Sequence, residues 1–81
     1  MRTTTVYTKY ACQPCRATKR KLDQLGIIYT EINVEDDELA LETIKAMGFL
    51  QAPVVVPAHG EPWSGFRPDL ITALAAVEGV A

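Results

Sequence analysis

Two cysteines, one histidine and one tryptophan among 81 residues exclude several classes of protein at the outset. A zinc site needs four ligands, and beyond the cysteine pair only His59 is a plausible donor. No long apolar run is present, and Met1-Arg2 leads straight into Thr3-Thr4-Thr5. Neither a secretory leader nor a membrane span is expected. Eight Lys and Arg stand against ten Asp and Glu, and a formal charge of -2 gives no reason to expect nucleic acid or an anionic membrane as partner. Repeats, low-complexity runs and linkers are also missing. What remains is a chain that is 48% apolar, sufficient for one core and one domain spanning 1–81.

Against that background the informative feature is Cys12-Gln13-Pro14-Cys15, which holds both cysteines. It falls where a first strand gives way to a first helix. A thiol at a helix N-terminus meets unpaired backbone N–H groups and the positive end of the helix dipole. Both favour the thiolate, the species that attacks disulfides. The spacing therefore points to a redox dithiol. A permanent structural disulfide would close too small a loop to constrain the unfolded chain much. Two ordinary buried cysteines fit poorly with hydrophilic Gln13 and Pro14 between them. Without an export signal, two cysteines point to a reducing cytosol, where a disulfide is transient and catalytic.

Thr4 to Thr8 is short and rich in β-branched and aromatic residues, and reads as strand one. From Pro14 to Leu25 the pattern turns helical, with Thr18, Leu22 and Leu25 on one face and Gly26 as the stop. Ile27 to Val34 is expected as strand two, with Ile28, Thr30 and Ile32 on one side and Tyr29, Glu31 and Asn33 on the other. Glu35-Asp36-Asp37-Glu38 concentrates negative charge where a second helix begins, which suits its dipole. Ala40, Ile44 and Met47 form that helix's expected buried stripe, and Gly48 ends it. Val54-Val55-Val56 reads as a buried strand. Ala58-His59-Gly60 turns the chain into a short fourth strand around Pro62-Trp63, and His59 is expected at the surface without function. Pro68 at the first helical position, with Asp69 beside it, opens a last helix. Leu70, Leu74 and Val77 are expected on its core face, with Gly79 just past its end.

The order β-α-β-α-β-β-α begins with a right-handed crossover and a parallel pair. The later hairpin is antiparallel. The expected fold class is α/β: a minimal thioredoxin-like (glutaredoxin-type) fold, a mixed four-stranded sheet flanked by three helices. Within it Cys12, nearer the surface, is the nucleophile, placed to accept a hydrogen bond from the Cys15 backbone N–H. Cys15, one turn further in, is the resolving thiol. Pro14 is tolerated because first-turn N–H groups lack intrahelical partners. Lys9 either stabilises the thiolate or is a solvated lysine at a strand end. On the first helix Arg16, Lys19, Arg20 and Lys21 form a polar face, with Arg16 close enough to the cysteines to steer a partner.

Trp63-Ser64-Gly65-Phe66-Arg67-Pro68-Asp69, together with the cysteine turn, Ala52-Pro53-Val54-Val55 and Thr18-Lys19-Arg20, closely resembles the NrdH-redoxin family over essentially the whole chain. That resemblance implies a protein glutaredoxin-like in sequence but thioredoxin-like in behaviour. It would be a monomeric thiol-disulfide electron carrier that binds no cofactor of its own. Electrons would come from NADPH through FAD-containing thioredoxin reductase and pass to the large subunit of class Ib ribonucleotide reductase. The wider thioredoxin-like family implies a cis Ala52–Pro53 bond, although the residues alone favour trans. A cis bond there would free the Ala52 backbone groups to pair with a substrate segment. The family also places Arg67 in a hydrogen-bond network reaching the loop before the second helix. A solvated arginine is the alternative.

Gln13, Pro14, Ala52, Pro53, Trp63, Ser64, Gly65, Phe66 and Arg67, with Lys9, make up the expected partner-binding surface around Cys12 and Cys15. Trp63 and Phe66 either close the core or leave at least one ring exposed for docking. True glutaredoxins approach glutathione with a glycine pair and a Ser/Thr/Cys-Asp dipeptide at the last helix. Here Phe66, Arg67 and Pro68 follow Gly65, so the cradle is expected to be filled, and Pro68 has no N–H to offer a carboxylate. A glutathione-dependent glutaredoxin is the enzyme alternative, and an iron–sulfur module shared by two chains is the alternative from another class.

Overall fold

A computed structural model describes residues 3–78. The central element is β1 (Thr4–Thr8), in which Thr4, Val6 and Thr8 are buried while Thr5 and Tyr7 are half-buried. A strand covered on both faces needs neighbours on both edges, and β1 has them. It pairs in parallel with β2 (Tyr29–Asn33), from Thr4 against Tyr29 to Thr8 against Asn33. On its other edge it runs antiparallel to β3 (Val54–Val56), with Val6 opposite Val55. β3 in turn pairs with β4 (Trp63–Ser64), giving the order β2-β1-β3-β4.

Three helices cover this sheet: α1 (Gln13–Gln24), α2 (Glu38–Ala46) and α3 (Pro68–Glu78). Leu22 of α1 and Ile71, Leu74 and Ala75 of α3 pack with Val6, Val55 and Trp63 on one face. Ala40 and Ile44 of α2 pack with Val34 and Val54 on the other. The result is the thioredoxin-like arrangement of a mixed four-stranded sheet between helical layers. Among the described residues no helix is long and apolar enough to cross a membrane.

The ends of the elements follow local chemistry. Asp37 caps α2, its Oδ1 accepting from the Ala40 N–H at 3.0 Å. Gly26 at φ +73° carries the chain out of α1 in the left-handed conformation that glycine adopts without a Cβ clash.

Four expectations need correction. Strand two is shorter than 27–34: Ile27 is buried in the connection, Ile28 is exposed before the strand starts, and Val34 is buried after it ends. The alternation survives, since Tyr29 packs on the α1/α3 face and Ile32 on the α2 face. Met47 is exposed because it is the C-cap of α2, past the last helical residue. Val77 is exposed because the buried face of α3 centres on Ile71, Leu74 and Ala75. At about 100° per residue, Val77 lies nearly a third of a turn from that centre. Helix α1 starts one residue early, at Gln13, which moves Pro14 to its second position. The stop assigned to Gly79 lies outside the described residues.

Candidate active site

β1 ends at Thr8, and Lys9, Tyr10 and Ala11 carry the chain to the cysteines. Ala11 adopts φ +51°, the left-handed region, and turns the backbone so that Cys12 becomes the N-cap of α1. At φ -115° and ψ 104° Cys12 is still extended, as N-caps are. Its Sγ accepts a hydrogen bond from the Cys15 N–H at 3.1 Å, and its carbonyl accepts from the Arg16 N–H at 3.2 Å. One of the first-turn donors is therefore satisfied by sulfur itself. The two cysteines are joined as a disulfide, with Cα atoms 5.2 Å apart. Cys15 is 2% exposed and Cys12 half-buried, while Gln13 and Pro14 between them are exposed. A molecule arriving from solvent therefore meets the Cys12 side of the bond.

The approach to this turn is latched to the loop before α2. The Tyr10 backbone N–H donates to Glu35 Oε1 at 2.8 Å, and its phenol donates to Asp36 Oδ2. The bond to Asp36, followed by that carboxylate's charge, raises the Tyr10 pKa above its ordinary value. Exposed Lys9 borders a surface concavity with Val34, Glu35, Glu38 and Leu41. Deeper in, the buried Thr8 hydroxyl donates to Glu31 Oε2 at 2.9 Å, and Lys19 of α1 pairs with the same oxygen at 3.0 Å. Burial pushes the Glu31 carboxyl upward, but the bonds from Lys19 and Thr8 outweigh it and hold the pKa below its usual value. This triad ties α1 to the edge strand.

On the other side two loops are stapled together. The Ala52–Pro53 peptide is cis, with Pro53 buried and Ala52 half-buried. The Pro53 carbonyl accepts from the Gly65 N–H at 2.8 Å, and Ser64 Oγ donates to the Gln51 carbonyl at 2.9 Å. Ala52, Pro53, Ser64 and Gly65 thus form one unit. Trp63 belongs to the core at 9% exposure, its indole N–H buried without a partner, whereas Phe66 is 39% exposed. Of the two aromatics only Phe66 offers a docking face.

Arg67 departs from the expected network. Its Nε and Nη2 donate to the two carboxylate oxygens of Asp69 at 3.2 and 3.0 Å, an ion pair local to the start of α3. The arginine's bond holds the Asp69 carboxyl below its ordinary pKa. The partner that a cation at a helix N-terminus calls for is two residues away rather than in the α2 loop. The space beside Gly65 is also open, with nothing within 4 Å of where a Cβ would stand. The cradle is not filled at that point. His59 is exposed in the β3–β4 turn. Among the described residues no group of three or more His, Cys, Asp or Glu is arranged to hold a metal ion.

Tyr10, Ala11, Glu35, Asp36 and Asp69 also shape the surroundings of the cysteine turn, and local sequence signals say little of these roles. Only Asp69, two residues from Arg67, carried a signal in its spacing.

Comparison with known proteins agrees with this geometry. A family model described as glutaredoxin matches residues 4–61. The glutaredoxin-like protein NrdH of Escherichia coli K12 is 46% identical over 70 residues, covering 86% of this chain and 85% of that protein. The NrdH protein of Lactococcus lactis subsp. cremoris is 37% identical over 71 residues, covering 88% and 97% respectively. The solved structure of Escherichia coli NrdH-redoxin superposes with a TM-score of 0.83 at 44% identity, over 88% of this chain and 92% of that one. The extended strand order, the sulfur-capped helix and these matches have one reading in common: the chain belongs to the glutaredoxin family and, within it, to the NrdH-redoxins.

Proposed function

We propose that this chain is a dithiol electron carrier, reduced by thioredoxin reductase and oxidised by the large subunit of class Ib ribonucleotide reductase. The observation that carries the chemistry is Cys12 Sγ at the N-cap of α1, accepting the Cys15 N–H. A charged acceptor makes such a bond stronger, so the arrangement favours the Cys12 thiolate over the thiol. That thiolate attacks one sulfur of a partner disulfide; the partner's S–S bond breaks and its second sulfur leaves as a thiolate. Cys15 passes its proton to the partner thiolate freed in the first step and attacks Cys12 Sγ, which breaks the mixed disulfide and releases the partner's first sulfur as a thiolate. Two electrons have passed to the partner, and the Cys12–Cys15 disulfide is left behind. NADPH restores the dithiol through the FAD of the reductase, and no cofactor need reside on this chain. A carrier renewed in this way belongs in a reducing cytoplasm.

The choice of thioredoxin reductase over glutathione rests on the start of α3. Pro68 has no N–H to offer an anion, and the helix N-terminus already has its own carboxylate in Asp69, clamped by Arg67. The Escherichia coli relative is described as having a thioredoxin-like activity profile, which agrees. A thioredoxin-like potential would lie about 40–70 mV below glutaredoxins, about 2–3 kcal/mol more reducing for two electrons. Ala52, Pro53, Ser64, Gly65 and exposed Phe66 would form the surface on which the partner segment lies. The open space at Gly65 is the one observation favouring a glutathione-dependent reading.

Following NADPH consumption with each reducing system separates the two. Turnover is expected with thioredoxin reductase. Turnover confined to glutathione with glutathione reductase would falsify the assignment.

A further inference from the structure

Charge around the redox turn is unevenly engaged. On the β2–α2 side the carboxylates are in use: Glu35 and Asp36 accept from Tyr10, and Asp37 caps α2. On α1, Lys19 is paired with Glu31, and Lys21 sits in the last turn, where the dipole welcomes a cation. Arg16 and Arg20 remain. Both are exposed, neither has an ion pair among the described residues, and with Gln13 and Ala17 they line a surface concavity of about 320 Å³. That concavity begins at Gln13, between the two cysteines. No acidic residue stands in the first turn of α1 to balance them, so Arg16 lies near the end of the helix where its charge is least favourable. Two unpaired arginines there serve a partner better than they serve the fold.

We infer that Arg16 and Arg20 form a docking site for an acidic polypeptide segment flanking the partner's disulfide. This rests on the dithiol-carrier reading. Residues four apart on a helix are about 6 Å apart along its axis. Alternate residues of an extended segment are about 6.5–7 Å apart on one side. An acidic-x-acidic pattern beside the disulfide therefore presents its carboxylates in register with the two guanidinium forks, which bind carboxylates in bidentate fashion. Nucleic acid would satisfy the charge, but it carries no disulfide for Cys12 to attack.

The test uses three peptides, each with one internal disulfide, differing only in Glu-x-Glu, Gln-x-Gln or Lys-x-Lys beside it. The pre-reduced full chain is mixed with each under single-turnover conditions, so no reductase is involved. Each protein is scored by its Glu-to-Lys rate ratio, which cancels any change in intrinsic thiol reactivity. The wild-type ratio is expected to be about tenfold at low salt and to collapse at high salt. R16Q/R20Q should bring it towards one, and R16E/R20E below one. A wild-type ratio of one, or a preference that survives in R16E/R20E, overturns the docking site while reduction of the Gln-x-Gln peptide still upholds the dithiol chemistry. Failure to reduce the Gln-x-Gln peptide overturns both.

Discussion

Ala11 is the one non-glycine residue with positive φ among those described, and it immediately precedes Cys12, the N-cap of α1. A left-handed backbone puts Cβ too near the following carbonyl, at about 1–2 kcal/mol for an L-residue. Replacing Ala11 by glycine removes that clash but gives the unfolded chain more freedom to lose, about 0.4–1 kcal/mol. The folded-state term is the larger, so Ala11→Gly should stabilise the oxidised protein by about 0.5–1 kcal/mol. In a domain this small the thermal midpoint should rise by roughly 2–8 °C. Ala11→Val provides the opposite sign, because a β-branched residue in this region is a true outlier and should cost about 1–3 kcal/mol. Denaturant melts followed by circular dichroism measure both. A glycine variant less stable than wild type, or a valine variant equal to it, would show that the turn before Cys12 is not held in the left-handed conformation.

Other expectations follow from particular contacts. Thr4 is 1% exposed and its Oγ1 accepts the buried Ala58 N–H at 3.0 Å, so Thr4→Val orphans that amide and should cost about 1–3 kcal/mol, whereas Thr4→Ser should lose less. Equal melts for the two variants would contradict it. Cys15→Ser should accumulate a mixed disulfide with an oxidised partner, visible as an added mass on a non-reducing gel, and Cys12→Ser should accumulate none. Burial, then the carboxylates of Asp23 and Glu31, push the Tyr29 phenol up to about 12. The folded state thus keeps that proton after the unfolded chain has lost it at about 10, and Tyr29's contribution, whole below pH 10, falls away as pH rises towards 12. Tyr29→Phe should flatten the alkaline loss of stability in that window; an unchanged profile would refute the assignment.

What could be read from the sequence was what depends on near neighbours. Thr4–Thr8, the α1 stripe of Thr18 and Leu22, and the Pro68 helix start are all set within a few residues, and each is found where expected; the acidic run 35–38 marks the start of α2 without singling out Asp37 as its cap. The cysteine turn belongs to the same group, because a sulfur three residues before its N–H donor needs no tertiary information. Periodicity misjudged Met47 and Val77, since it tells which side of a helix is apolar but not where the sheet beneath it ends. It also gave no notice of the Tyr10 latch, whose acceptors are 25 and 26 residues away in sequence, or of Thr8 meeting Glu31 across the parallel pair. The cis Ala52–Pro53 bond follows from family resemblance and not from the residues, and the bonds joining Gln51 and Pro53 to Ser64 and Gly65 have no signal in either. Arg67 shows the limit of that route: the family's network is replaced here by a pair two residues long.

On the proposed function, sulfur activation and partner choice would rest on separate groups in this protein. A C-x-x-C at a helix start has access to the same N-cap bond and the same dipole, so those features would account for the reactivity of Cys12 but not for its choice of partner. On that reading, discrimination would come from groups that differ around the turn. Three of these stand on separate elements: Phe66 beside the Gly65–Pro53 staple, the Arg67–Asp69 pair at the start of α3, and the arginines of α1. Each is exposed, and none lies within the core clusters that hold the sheet between its helices. On the proposed function, substitutions there would change the partner without unfolding the domain, while the cysteines stayed fixed.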